Sequence, residues 1–202
     1  ISCKKCLPGL YGDELGMISV GSCKKCPAGT FNENFGLSEK NNCKQCSTGK
    51  YSVDGSIICF ECEYGKFNIQ TGSSSCLECP DGKFTNKTAS YICKNCPIKS
   101  EQNKNKTACI CSQNAYNTYP NNNKLNCIDC NDTFICKTNT TIKTINIKEN
   151  FWRSSSLSTQ IYKCKTRFAC KGGIIYNSSD DLCNEGFKGP LCNVCQDGWA
   201  KD

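Results

Sequence analysis

Cysteine is the residue whose number and spacing could do chemistry in this chain: 22 of 202 residues. Eight pairs follow C-x2-C, namely Cys3-Cys6, Cys23-Cys26, Cys43-Cys46, Cys59-Cys62, Cys76-Cys79, Cys93-Cys96, Cys127-Cys130 and Cys192-Cys195. Three chemistries use that spacing. Two such pairs sixteen residues apart, as in Cys3 to Cys26, fit a four-thiolate zinc site, which needs no histidine. A single pair is a dithiol redox centre when it sits in a strand-helix-strand setting. An even count at regular spacing in an oxidising compartment is a disulfide framework. No strand-helix-strand pattern is present, and the cysteines outside the pairs complete no four-thiolate set. The framework is therefore the expectation, with no metal, no cofactor and no enzymatic role. The chain has no histidine, which removes Ser-His-Asp and Cys-His nucleophile systems and histidine pH switches. No paired carboxylates or Gly-rich phosphate loop stand out.

The elements that must position these cysteines have little apolar material to work with. Cysteine apart, apolar residues make up roughly 27% of the chain, below the usual globular share. Covalent links must replace a large core, as in small loop-rich modules. Eleven bridges would each close a short loop and contribute on the order of 3 kcal/mol. Lys and Arg number 25 against 18 Asp and Glu, a net charge of +7. The lysines are scattered singly or in short pairs, so no nucleic-acid patch is expected; attraction to acidic glycans would be weak and unspecific. No apolar run is long enough to span a membrane. Five N-x-Ser/Thr sequons, at Asn86, Asn105, Asn131, Asn139 and Asn177, agree with an extracellular or cell-surface location and predict N-glycans.

Internal repetition dominates residues 3–98. The unit is C-x2-C with Gly three residues and an aromatic five residues after the second Cys. It reads Cys6-Gly9-Tyr11, Cys26-Gly29-Phe31, Cys46-Gly49-Tyr51, Cys62-Gly65-Phe67 and Cys79-Gly82-Phe84. A sixth copy at Cys96 keeps Pro97 but has Lys99 and Glu101 at those positions. The glycine suits a turn with positive φ, and Pro27, Pro80 and Pro97 preset that turn. The aromatic is expected to lie over the adjacent bridge. Small polar residues (Ser52, Asn68, Thr85) follow it. Each copy can make only a short hairpin and must lean on its neighbours, so the expected architecture is an elongated rod of loops and short β-hairpins.

The segments CPAGTFNENFGLSEKNNC and CPDGKFTNKTASYIC resemble tandem ephrin-receptor-like cysteine-rich repeats, which are similar to the first submodule of tumour-necrosis-factor-receptor cysteine-rich domains. The resemblance covers roughly residues 3–111. It implies forward pairing of each second Cys with the first Cys of the next copy: Cys6–Cys23, Cys26–Cys43, Cys46–Cys59, Cys62–Cys76, Cys79–Cys93 and Cys96–Cys109.

Three segments are expected: residues 1–111 as tandem repeats, 112–182 as an irregular cysteine-rich stretch, and 183–202 as a short C-terminal motif. Thr141–Lys148 carries an alternating β pattern, and residues 158–163 are expected to return beside it as a hairpin. Phe151 and Trp152 lie near the bend, either as a local core plate or as a partner-facing hot spot. Cys111–Cys127, Cys130–Cys136 and Cys164–Cys170 are the favoured bridges here, with crossed pairing among the last four as the rival. Residues 183–192 resemble the last loop of an epidermal-growth-factor-like module, extended in a laminin-like way by Cys195, Gly198 and Trp199. That resemblance implies Cys183–Cys192, and no calcium consensus accompanies it.

Cys3 and Cys195 are left over. Together with the missing initiator Met they suggest a piece of a longer pattern, with both thiols turned to neighbouring segments or subunits. The functional expectation is an extracellular structural glycoprotein, a building block of a fibre, coat or matrix, whose partners are itself, other extracellular proteins and glycans. The alternative is the ligand-binding or adhesion ectodomain of a receptor.

Overall fold

The computed structural model describes residues 3–14, 19–120 and 124–200. The chain divides into two units, residues 1–96 with 102–108 and residues 97–101 with 109–202. Regular structure is limited to two- and three-residue strands in two-stranded sheets and to four short 3-10 turns among the described residues. This is the disulfide-rich, hairpin-built class that the sequence predicts.

In the first unit, every hairpin is a consequence of the C-x2-C spacing. Two residues separate the cysteines, so a strand of two residues is all that fits between the bridges. Thr30–Phe31 pairs antiparallel with Lys44–Gln45, Lys50–Tyr51 with Phe60–Glu61, Lys66–Phe67 with Leu77–Glu78, and Lys83–Phe84 with Lys94–Asn95. Leu10–Tyr11 pairs with Lys24–Lys25 in the same way. One strand of each pair comes from the repeat's own aromatic, the other from the cysteine pair of the next repeat.

Glycine at the third position serves two purposes. Its φ lies in the left-handed region, from 75° at Gly49 to 86° at Gly29. Its backbone also lies against a turn two repeats further on. A Cβ on Gly9, Gly29, Gly49 or Gly65 would collide with the carbonyl oxygen of Gly55, Gly72, Ala89 or Asn105 respectively. The same four amides donate to the next repeat, to the carbonyls of Asn32 (2.7 Å), Ser52 (2.9 Å), Asn68 (2.7 Å) and Thr85 (3.0 Å). Their own carbonyls accept from Cys26, Cys46, Cys62 and Cys79, each at 2.9 Å. Neighbouring repeats thus hold one another through backbone polar groups that would otherwise need water.

The small polar residue after the aromatic forms the centre of this packing. Asn32, Ser52, Asn68 and Thr85 are all buried. Three of them reach back one repeat: Asn32 Nδ2 to the Leu10 carbonyl (3.3 Å), Ser52 Oγ to Thr30 (2.8 Å) and Asn68 Nδ2 to Lys50 (2.9 Å). Each such bond is worth about 1 kcal/mol net, and a buried polar group left unpaired costs more. The aromatic plates are less buried than these. Tyr11 packs with Cys26 and Cys43, the bridge of the next repeat, whereas Phe31, Tyr51, Phe67 and Phe84 remain partly exposed.

The second unit has what the first lacks, a modest apolar core of Tyr116, Phe134, Ile142, Ile145, Ile147, Trp152, Ala169, Ile175 and Leu182 together with buried cysteines. The expected hairpin between 141–148 and 158–163 is replaced by two others. Asn146–Ile147 pairs with Phe134–Ile135, and the partner of Tyr162–Lys163 is Phe151–Trp152. The physical reason lies in the apolar spacing: Ile142, Ile145 and Ile147 all face the core, a pattern that a continuous alternating strand cannot give. A turn between Thr141 and Thr144, closed by Thr144 N to the Thr141 carbonyl at 2.9 Å, interrupts the stretch.

Part of this unit repeats the plan of the first. Asn114 (φ 65°) and Asn150 (φ 68°) take the left-handed position of the glycine. Their carbonyls accept from Cys130 N (2.8 Å) and Cys164 N (2.9 Å), as the glycine carbonyls do. Tyr116 and Trp152 then occupy the aromatic position, and Ile147 stands where the second cysteine belongs.

Candidate functional site

The bridges are the principal chemical feature. The structure joins Cys6 to Cys23, Cys26 to Cys43, Cys46 to Cys59, Cys62 to Cys76 and Cys79 to Cys93. It joins Cys111 to Cys127, Cys130 to Cys136, Cys164 to Cys170 and Cys183 to Cys192. Cys96 and Cys109 are also disulfide-bonded. The described pairs have Cα separations from 5.4 Å (Cys183–Cys192) to 6.3 Å (Cys130–Cys136 and Cys164–Cys170), inside the range that a bridge spans without backbone movement. Cys26, Cys46, Cys62 and Cys79 are fully buried, so the sulfurs themselves fill the interior of the first unit. Cys3 is an exposed free thiol, and Cys195 a partly buried one.

All five sequon asparagines are exposed. Asn131 Oδ1 accepts from the amide and hydroxyl of Thr133, at 3.0 and 2.6 Å, which ties that sequon into a local turn. Asn139 is left-handed at φ 65°, and its amide donates to the Cys111 carbonyl at 2.8 Å. Asn105 presents its side chain to solvent while its carbonyl faces Gly65.

Phe151 and Trp152 are placed in the core. Trp152 is 6% exposed, and Phe151 packs partly buried against the same cluster, so neither offers an open docking surface. The next residue was not singled out from sequence. Arg153 is fully buried at the position that Asn32, Ser52 and Asn68 hold in the first unit, six residues after Ile147. Like them it reaches back to a carbonyl, donating through Nη1 to Ile142 at 2.9 Å. Its Nε and Nη2 find no acceptor, nor does the Trp152 indole N–H. Burial pushes the Arg153 pKa below its usual value, with Tyr116 opposing, and pushes the Tyr116 phenol up. A buried cation without a carboxylate is a stability cost. Arg153→Met is therefore expected to hold or raise the chemical denaturation midpoint, whereas Arg153→Ala, which leaves a void, lowers stability by about 2–5 kcal/mol. A large loss with Met would show that the Ile142 contact outweighs the buried charge.

Asp181 organises the loop before the Cys183 bridge. Its Oδ2 accepts from the amides of Tyr176 and Asn177, both at 2.7 Å, and Ser178 at 3.3 Å. The Asn177 and Tyr176 amides chiefly hold its carboxyl below the ordinary value of 3.8. A depressed folded pKa contributes stability above the unfolded value and loses it as pH falls through the folded one. The Tyr176, Asn177 and Ser178 amide shifts should titrate with a midpoint below 3.8. Titration centred above that value would contradict the contact.

Among the described residues no group of three or more Cys, Asp or Glu side chains is arranged to hold a metal ion. None of their helices is long and apolar enough to cross a membrane. Salt bridges on the first unit are exposed, for example Lys24 to Asp13 (2.9 Å), Lys44 to Glu33 (2.8 Å) and Lys66 to Glu63 (3.0 Å), each worth little by itself.

Comparison with known families gives one match. The family described as tyrosine-protein kinase ephrin type A/B receptor-like matches residues 49–96, the stretch from the Gly49 turn to Cys96. No curated protein matches the chain. The bridged tandem repeats and this receptor-type match identify an extracellular or cell-surface domain.

Proposed function

We propose that this chain is an extracellular structural glycoprotein module, a building block whose task is to hold shape and spacing in a fibre, coat or matrix. The observation that carries the reading is the reciprocal bonding between repeats. Each left-handed glycine binds one neighbour through its amide and accepts from the same neighbour through its carbonyl, and a disulfide closes the same step covalently. Such an arrangement resists extension and proteolysis, because local opening is limited by a bridge in every repeat. N-glycans at Asn86 and Asn105 would shield the first unit, which has little apolar core, and those at Asn131, Asn139 and Asn177 would lie on the second. Cys3 and Cys195 are the thiols available for bridges to neighbouring segments or chains. No catalytic role is assigned, and the C-terminal hairpin is read as epidermal-growth-factor-like.

A second reading, a ligand-binding or adhesion ectodomain, is favoured by the receptor-type family match at residues 49–96. Electron microscopy of the native material separates the two. Long polymers, released by reductant, are the expected result. A monodisperse monomer with or without reductant overturns the structural reading and favours the receptor one.

A further inference from the structure

Several lysines of the first unit form ion pairs with carboxylates, whereas one group of cations in the second unit forms none. The loop between Cys164 and Cys170 carries Lys165 and Arg167, and Lys163 and Lys171 flank its bridge. All four are exposed, and none makes a salt bridge. The bridge holds the Cα atoms of Cys164 and Cys170 6.3 Å apart. With one peptide step on each side, the Cα atoms of Lys163 and Lys171 lie within about 14 Å of one another. Ile147 and Gly173 exchange both backbone hydrogen bonds at 2.8 Å, which sets Lys148 against Gly172 and Glu149 opposite Lys171. The neighbouring acids are Glu149, Asp181 and Glu185; the Asp181 Oδ2 accepts from three amides, and the charge of Lys171 also reaches it.

The loop is also strained in an unusual place. Ala169 N closes a turn onto the Thr166 carbonyl at 3.3 Å, and the left-handed position of that turn holds Phe168, at φ 63°. Glycine fills that position in the first five repeats. A bulky side chain there is unfavourable, and the ring is 69% exposed, so core packing does not explain it. The guanidinium of Arg167 lies over the ring, 4.9 Å from its centroid. This contact places a bidentate donor at the surface among the lysines.

We propose that this loop is a binding site for a sulfated polysaccharide. A stiff cationic surface, clamped at both ends by one disulfide, suits a linear chain of regularly placed anions without an ordering cost at binding. An Arg held over an aromatic ring suits the bidentate recognition of a sulfate group. A membrane would call for free apolar wedges, and here the one exposed ring in the loop is covered on a face by Arg167. The proposal does not rest on the structural or the receptor reading.

The test is binding of the oxidised chain to a defined sulfated oligosaccharide, with an unsulfated analogue, poly-glutamate and anionic lipid vesicles as separate arms. The quadruple variant Lys163→Ser, Lys165→Ser, Arg167→Ser, Lys171→Ser should bind at least about 10-fold more weakly and with a shallower salt dependence, because fewer counterions are released. Removing Lys4, Lys40, Lys87 and Lys104, an equal change of charge elsewhere, should change affinity by less than about 3-fold. Arg167→Lys keeps the charge but should still weaken binding several-fold. Circular dichroism and non-reducing mass mapping confirm that each variant is folded. Equal loss from both quadruple variants, unchanged affinity in Arg167→Lys, or preferential binding to poly-glutamate or vesicles each overturns the proposal.

Discussion

Replacing Gly29 by alanine should cost far more than the same change at Gly82, although both residues have left-handed backbones, at φ 86° and 75°. The conformational penalty of an L side chain in that region, about 1–2 kcal/mol, is common to the two. The surroundings differ. A Cβ on Gly29 would run into the Gly72 carbonyl, whereas one on Gly82 meets nothing within 4 Å. Gly29 also sits between two backbone hydrogen bonds of 2.9 Å, to Ser52 and from Cys46. Its neighbours are backbone and cannot swing aside as a side chain would, so the repeats must separate. Overpacking of this kind adds about 1–3 kcal/mol. The expected loss is then about 2–5 kcal/mol for Gly29→Ala and about 1–2 kcal/mol for Gly82→Ala. Denaturant unfolding with all bridges intact measures both. Equal losses would mean that only backbone conformation selects glycine and that the approach of alternate repeats contributes nothing.

Removing the Cys62–Cys76 bridge should produce the second large effect. These cysteines are 14 residues apart, and Cys62 is fully buried. Chain entropy alone assigns the bridge about 3 kcal/mol. A globular domain would spread that loss over its whole structure. In a one-dimensional array the loss stays local, since each repeat is held only by its near neighbours. The double variant Cys62→Ser, Cys76→Ser is expected to become sensitive to protease between residues 63 and 75, while the Cys6–Cys23 and Cys164–Cys170 segments remain resistant. Mass analysis of limited digests reads this directly. Uniform cleavage along the chain would show that the repeats unfold as one.

These two cases mark how far the sequence is legible. Gly at the third position and an aromatic at the fifth could be read five times over, and the short hairpins follow from the two-residue gap between cysteines. The second purpose of the glycine, its approach to a carbonyl two repeats away, left no local signal. In the second unit the plan was hidden by substitution. Asparagine tolerates left-handed backbone, so Asn114 and Asn150 replace glycine, and Ile147 replaces a cysteine without any spacing motif to mark it. Tyr116 and Trp152, two residues after those asparagines, were the available clue. Arg153 was illegible for a related reason. At its position the first unit uses small polar side chains, and an arginine reads as surface, yet its length lets Nη1 reach Ile142 while the chain around it closes over the charge. The β pattern at 141–148 misled because isoleucine alternation over a few residues fits a strand and a turn-broken core segment alike.

Residue-resolved amide exchange, with and without reductant, tests most directly the claim that the repeats hold one another through backbone rungs stapled by bridges. In the oxidised chain the amides of Gly9, Gly29, Gly49 and Gly65 and of Cys26, Cys46, Cys62 and Cys79 should exchange slowly as a set, and full reduction should release them together. Fast exchange at these glycines in the oxidised chain, or protection that survives complete reduction, would contradict the account.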